Sequence, residues 1–394
     1  MIFWGYVLNG PVVWSLYGVG MYAAKGKLSL LERRHHPLPN PAPSVTILIP
    51  AKDEGEPLRD CLSSALSQDY PNFRVLAIND RSGDNTGAIM DEMSANDSRL
   101  RVLHIAHGSV PQGWTGKNNA LFTAVKQTES DWFLFVDSDV ILQPPALSRV
   151  MAYATSRNYS FLSLLLRLEC HTFWETLIMP LSGAGVLGLY TVGLANMSSL
   201  PNVAFANGQF ILCHRDAYTK FGTHEAVKSA FSEDVEIAKL AKSRGLEPRI
   251  AWGVDLAAVR MYSSLPRLIK GWGRNFFGCG RGSPWRIITG ILFILFSCYS
   301  VYAAIGFSIW RITQGNSTFW SIGWSSAAAV HFALMTFFLG KTYEWSGNVK
   351  RNALLFPLGG ALMLWIFAVA LKLCLTKKVE WRGDQYAGAK PQAA

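Results

Sequence analysis

Residues Asp131–Val140, DWFLFVDSDV, join a run of aromatic and aliphatic side chains to the triplet Asp137-Ser138-Asp139. An uninterrupted apolar run of this length that ends in turn formers reads as a buried strand. In open α/β sheets, ligands collect outside the carboxyl ends of the strands. Two carboxylates at such an end are therefore placed for chemistry, and their spacing lets them share a hard cation with a diphosphate. A D-x-D triplet alone says little, because short acidic patterns recur by chance, so its meaning depends on the chain before it.

That chain repeats one plan. SVTILIP at Ser44–Pro50 runs into Ala51-Lys52-Asp53-Glu54-Gly55, and a helical pattern follows from Pro57 to Gln68. RVLAIN at Arg74–Asn79 runs into Asp80-Arg81-Ser82-Gly83-Asp84 and a second helix ending near Met93. A third strand covers Arg101–Ala106, and Trp114-Thr115-Gly116-Lys117-Asn118-Asn119 opens a third helix that reaches Glu129. Alternation at these lengths predicts an α/β domain with a mainly parallel sheet covered on both faces. Asp80 taken alone reads as a turn former. Acids after strands one, two and four, in this order, predict a site at one edge of the sheet.

The chain has 394 residues, is 50% hydrophobic and carries a net charge of +10, with a mean hydropathy of +0.17. Its apolar residues gather at the two ends. Ile2–Ala24 is uncharged and is followed by Lys25, Lys27, Arg33 and Arg34, which predicts a transmembrane helix over 1–24 with a cytoplasmic basic, Pro-rich linker over 25–43. A signal peptide would have a basic stretch before the apolar run, and this one has none. A soluble domain is expected over 44–283, three transmembrane helices over 287–371 and a basic tail over 372–394. Within the domain, residues 173–196 are apolar but broken by Glu175, Pro180 and four glycines; a crossing there would split the site across the bilayer. That stretch is expected to lie at the membrane surface or buried beneath the domain. His331, inside the second C-terminal run, is expected to be paired within the helix bundle. In such a chain the positive excess points to cytoplasmic loops and anionic headgroups, and no Lys/Arg tract argues for nucleic acid. Six cysteines without a C-x-x-C pair read as reduced thiols.

With PQGWTGKNNAL, LLRLECHTFWETLIMPL, Ser232-Glu233-Asp234, VRMYSSLPRLIKGWGRN and Trp381-Arg382-Gly383, the strand motifs make the chain resemble the membrane-anchored family 2 glycosyltransferases. These have the GT-A fold, a Rossmann-like nucleotide-diphosphosugar transferase domain. The likeness is nearest to the hopanoid- and carotenoid-associated branch and more distant to ceramide glucosyltransferase. One departure stands out: many members carry Q/R-x-x-R-W where this chain has Gly271-Trp272-Gly273-Arg274-Asn275.

The resemblance implies roles. Asp53 or Glu54 and Asp80 would lie against the nucleotide base and ribose, with Asp80 accepting the imide proton of a uracil. Lys117, at a helix start, would meet the base or diphosphate. Asp139 would hold Mg2+ or Mn2+, Asp137 would touch the ribose or a metal-bound water, and Arg274 would face the leaving diphosphate. Asp234 would be the base that accepts the proton of the attacking hydroxyl, with Glu233 as its substitute. Asn207, Gly208, Gln209, on an expected strand over Ala204–Cys213, and Trp272 would form the acceptor side. The expected activity is inverting transfer of a hexose from a nucleotide sugar, expected to be a UDP-sugar, to a lipid hydroxyl at the cytoplasmic face of a bacterial inner membrane. A processive polysaccharide synthase is disfavoured by the small transmembrane set and the missing Trp. A non-catalytic nucleotide-binding membrane protein is disfavoured because every acid is kept.

Overall fold

The computed structural model describes residues 1–28, 31, 36–189, 192–315, 319–381 and 384–387. The chain divides into two compact units, one of residues 26–169, 190–261 and 380–394, the other of residues 1–25, 170–189 and 262–379. The strands that frame the site are β1 (Val45–Ala51), β2 (Phe73–Asp80), β3 (Leu100–Ile105), β4 (Trp132–Val136), β5 (Val140–Leu142), β6 (Phe161–Leu165), β7 (Arg167–Leu168), β8 (Phe210–His214), β9 (Arg249–Trp252) and β10 (Ala257–Val259). The helices that matter to the account are α1 (Pro57–Leu66), α2 (Thr86–Asn96), α3 (Gly116–Val125), α4 (Phe173–Leu189), α5 (Glu233–Ser243) and α6 (Leu265–Cys279).

In the first unit seven strands form one sheet in the order β3-β2-β1-β4-β8-β6-β9, and β5-β10-β7 form a small second sheet. Side chains on the central strands alternate between two cores. Ile47, Ile49, Val75, Ala77, Leu134 and Val136 pack on one face, and Leu48, Leu76, Ile78, Phe133 and Phe135 on the other. Burial on both faces explains why these strands read as unbroken apolar runs. β1 is parallel to both β2 and β4, so their ends bring Asp53, Asp80 and Asp137 to one edge. The sheet is mainly parallel, with one strand reversed: β8 runs antiparallel to β4 and to β6. Helix α1 buries Leu58, Cys61, Leu62 and Ala65, the spacing of one apolar helical face.

In the second unit three helices, Pro284–Thr313, Phe319–Trp345 and Lys350–Thr376, are long and apolar enough to cross a membrane, with mean hydropathies of 2.0, 1.5 and 2.3. The N-terminal stretch is helical from Ile2 to Leu28 and passes through a π-helical turn at Leu8–Val12, where Pro11 interrupts the regular ladder. It is pinned by polar contacts. The Trp14 indole N–H donates to the Ser297 carbonyl, and His331 bonds the Tyr6 hydroxyl at 3.0 Å and the Ser297 carbonyl at 3.1 Å. His331 is thus paired within the bundle.

Helix α4 packs inside this second unit. The Tyr343 hydroxyl donates to the Leu177 carbonyl at 2.7 Å, and the Ser182 hydroxyl reaches the Met363 sulfur at 3.3 Å. Glu175, buried in an apolar run, ties down the start of the helix: it accepts from the Thr172 hydroxyl at 2.8 Å and the His171 N–H at 2.9 Å, and its own N–H donates to the Thr172 hydroxyl oxygen at 3.3 Å. Helix α6 belongs to this unit and packs with its apolar helices. All six cysteines are free thiols. The basic residues 33–34 and the pair Arg382-Gly383 lie outside the described residues.

Candidate active site

The start of α3 is where the pieces meet. Thr115 is its N-cap, accepting the Asn118 N–H at 3.2 Å, as a hydroxyl at a helix start does. Gly116 follows: a Cβ there would meet the Asp80 carboxylate and the Arg81 guanidinium, so a larger residue would have to displace that pair. Lys117 then reaches two acids from distant parts of the chain, Asp137 Oδ1 at 2.6 Å and Glu233 Oε1 at 2.8 Å. With Gly208 and His224 these three side chains line a small cavity. Burial opposes the charge of Lys117, but the attraction of Asp137 and Glu233 outweighs it and holds the ammonium protonated above the usual lysine range.

The ammonium is the counter-charge that lets the acids share this space. Replacing it in Lys117→Met leaves Asp137 and Glu233 facing each other without compensation. The variant is expected to lose about 2 kcal/mol of stability, given that Lys117 is partly exposed and its pairing partly screened. Because the stranded acids can take up protons, the loss should shrink as pH falls. Denaturant melts in detergent at pH 8 and pH 5.5 check both points.

Asp139 is the least satisfied acid. Its Oδ1 is buried and makes no hydrogen bond, and burial, then the charges of Asp137 and Glu54, push its pKa up to about 7. The charge of Asp137 is disfavoured by burial too, and Lys117 offsets that only in part. The Ser138 hydroxyl between them donates a short hydrogen bond to Glu54. A buried acceptor left bare is a place for a cation. Among the described residues no group of three His, Cys, Asp or Glu side chains could hold a metal by itself. The donor set therefore suits an ion that takes most of its ligands from substrate phosphates and water, as Mg2+ and Mn2+ do.

The other expected donor-side acids have defined places. Asp53, at a positive φ of 52°, braces the loops: its carboxylate accepts the Gly83 N–H at 2.7 Å and its own N–H donates to the Ser82 hydroxyl at 3.1 Å. Both carboxylate oxygens of Asp80 are held by Arg81, at 2.8 and 3.2 Å. An acid and a guanidinium therefore lie side by side at the end of β2. Arg81 stood next to Asp80 in the quoted motif, but nothing in the spacing said that it would fold back onto its neighbour.

On the acceptor side, Asp234 Oδ2 accepts the Gly208 N–H and Oδ1 the Val235 N–H, both at 2.8 Å. A Cβ on Gly208 would stand 3.0 Å from Oδ2, so the glycine permits the close approach. Burial, then the charge of Glu233, push the pKa of Asp234 up to about 7 against the pull of Lys117 and the two N–H groups. The expectation of a strand over Ala204–Cys213 is corrected: β8 begins at Phe210. The backbone before it is committed elsewhere, with the Asn207 N–H donating to the Ser163 hydroxyl at 2.7 Å and the Gly208 N–H to Asp234. The Asn207 amide also donates to the Leu164 carbonyl at 2.8 Å and to the Gln209 amide oxygen at 3.2 Å.

Arg274 and Trp272 lie on α6 in the other unit. Trp272 is buried there, with its indole N–H 3.1 Å from the Met179 sulfur and its ring against Phe276. His224 is a site residue that the motifs did not flag. It is buried, bonds the Tyr218 hydroxyl at 2.8 Å, and is pushed down to about 3 by burial and the nearby Lys117 charge, so it stays neutral.

This α/β sheet, with acids gathered outside its strand ends, has the GT-A architecture. The model described as "Glycosyltransferase like family 2" matches residues 41–259, and the chain belongs to that family of glycosyltransferases. It is similar to 4,4'-diaponeurosporenoate glycosyltransferases of Staphylococcus. Identity is 23% to that of S. haemolyticus strain JCSC1435, over 68% of this chain and 71% of the relative. To that of S. aureus strain MRSA252 it is again 23%, over 89% and 90%. Among solved structures, a mannosyltransferase of Pyrobaculum calidifontis, in complex with GDP-Man and Mn2+, overlays with a TM-score of 0.47 at 14% identity, over 94% of this chain and 99% of that one.

Proposed function

We propose that the protein moves a sugar from a nucleoside diphosphate sugar, a UDP-hexose, to the hydroxyl of a lipid acceptor at the cytoplasmic surface of a bacterial inner membrane. The observation that carries this reading is the double ion pair of Lys117. It brings the acid after the central strand and the acid beside Asp234 to one ammonium, so donor-side and acceptor-side carboxylates share one cavity.

In this reading Asp139, with Asp137 beside it, would hold Mg2+ or Mn2+, which when bound would supply positive charge to stabilise the departing nucleoside diphosphate. Lys117, at the N-terminus of α3, adds a second positive field at the phosphates, and Asp80 with Arg81 reads the base while Asp53 and Glu54 shape its loop. Asp234 accepts the proton of the attacking hydroxyl as its oxygen bonds to the anomeric carbon and the carbon–oxygen bond to the diphosphate breaks. Attack from the face opposite the leaving group inverts the centre. Asn207, Gly208 and Gln209 line the acceptor side, and Glu233 is tied to Lys117 rather than free to act as the base. Three helices able to cross a membrane, the N-terminal helix pinned to them and the names of the staphylococcal relatives favour an apolar acceptor.

The test is a panel of UDP- and GDP-sugars incubated with membranes that contain or lack the protein. Nucleoside diphosphate release from one donor, matched by a hexose-sized mass gain in the lipid extract, is the expected result. Release without any glycolipid, or no dependence on the protein, would count against it.

A further inference from the structure

Asn118, next to Lys117 on α3, is fully buried. Its amide nitrogen lies 2.8 Å from the Val227 carbonyl, 3.1 Å from that of Ala230 and 3.3 Å from that of Lys228. The Thr115 N–H donates to the Lys228 carbonyl as well, at 2.7 Å. The Asn118 amide oxygen, by contrast, is buried and makes no hydrogen bond. Burying a bare oxygen costs free energy, and an apolar residue of the same size would avoid that cost. The value of the amide therefore lies in the carbonyls it holds.

Those carbonyls belong to the short segment that leads into Ser232, the N-cap of α5, and so into Glu233 and Asp234. The segment has no ladder of its own: it leaves a 3-10 turn at His224–Val227, and the Ala230 N–H only closes back onto Val227 at 2.8 Å. We infer that Asn118 is a positioning residue for sugar transfer, fixing Val227–Ala230, and through it Asp234, against the helix end that carries Lys117. The inference rests on the reading of Asp234 as the acceptor base. It makes α3 a strut with two adjacent attachments, an ionic one from Lys117 to Asp137 and Glu233 and a neutral one from Asn118 to the carbonyls of Val227–Ala230.

Asn118→Asp is the sharpest variant, because an ionised carboxylate has the same shape but no proton to donate. Displacement of a catalytic group by about an ångström can cost on the order of 100-fold in rate. Turnover with the donor used by the wild type should therefore fall roughly 10- to 100-fold. Affinity for UDP with Mn2+ should stay within about twofold, because the donor-side contacts are intact. Hydrogen exchange should quicken for the amides of residues 227–236 and not for those of β4 and residues 137–140. Asn118→Ala removes the donors without adding charge and serves the same test if the aspartate variant does not fold. Wild-type turnover and exchange, equal losses in binding and turnover, or faster exchange across the whole sheet would each overturn the inference. The exchange result is independent of the catalytic reading: normal transfer by Asp234→Asn would remove the base assignment and leave the strut to be judged on exchange alone.

Discussion

Asp139→Asn should yield a protein that is more stable than the wild type in metal-free buffer at pH 8 and unable to transfer sugar. The wild-type carboxylate has a buried oxygen without a partner, and its pKa is pushed up to about 7 by burial and by Asp137 and Glu54. A folded-state pKa above the unfolded value means that the native state holds the proton over the interval between them. Stability therefore falls as pH rises through that interval, from about 4 to about 7. Asparagine carries no proton to lose, so the advantage of the variant should be absent near pH 4 and complete by pH 8. With allowance for partial exposure it is about 1–3 kcal/mol, a rise of several degrees in melting temperature for a domain of this size. Thermal melts in detergent with a chelator, across that pH range, measure it. The gain in stability is the other side of a functional cost, as expected where an active site keeps a charge that folding would prefer to discard.

Asp234→Asn should do the opposite, binding donor normally while transfer falls by about 100- to 10,000-fold, the usual range for losing a general base. The amide keeps the shape of the side chain, and its oxygen can still accept from the Gly208 or the Val235 N–H. It cannot accept the proton of a hydroxyl. In the wild type, Asp234 must be ionised to act, and its pKa is raised to about 7. The transfer rate should therefore climb with pH through about 7 and level off above it, and the variant should have lost that limb. Rates with saturating donor from pH 5.5 to 8.5 show whether the limb belongs to this residue. A change of the acceptor from a hydroxyl to a carboxylic acid, already ionised at neutral pH, should weaken both effects.

Much of this site could be read before any coordinates. Acids after β1, β2 and β4 were legible because a parallel arrangement of strands sends their ends to one edge, and the D-S-D triplet marks where β4 stops. Ser232-Glu233-Asp234 was legible as a helix start. The pairing of Lys117 with Glu233 was not, because it is made by a long-range fold contact with no periodicity to betray it. Asn118 was hidden for a different reason: an asparagine after a helix cap looks like a side chain turned to water, and only burial among the carbonyls of Val227, Lys228 and Ala230 reveals what it holds. The start of β8 was misplaced because Asn207 and Gly208 sit in an apolar run, yet their N–H groups go to Ser163 and Asp234 instead of a ladder. The place of α4 could not be read from its apolar residues, which suit a membrane surface and a helix bundle alike. What decides it is a set of single contacts, such as the Tyr343 hydroxyl on the Leu177 carbonyl.

In the proposed function, acids far apart in the chain form one site in which a metal–diphosphate and an acceptor base have separate owners. Calorimetric titration of UDP with Mn2+ into the wild type, Asp139→Asn and Asp234→Asn separates the two. The wild type and Asp234→Asn should bind alike, within about twofold, and Asp139→Asn should lose the Mn2+-dependent part of binding. Undiminished Mn2+-dependent binding by Asp139→Asn, or its loss in Asp234→Asn, would contradict it.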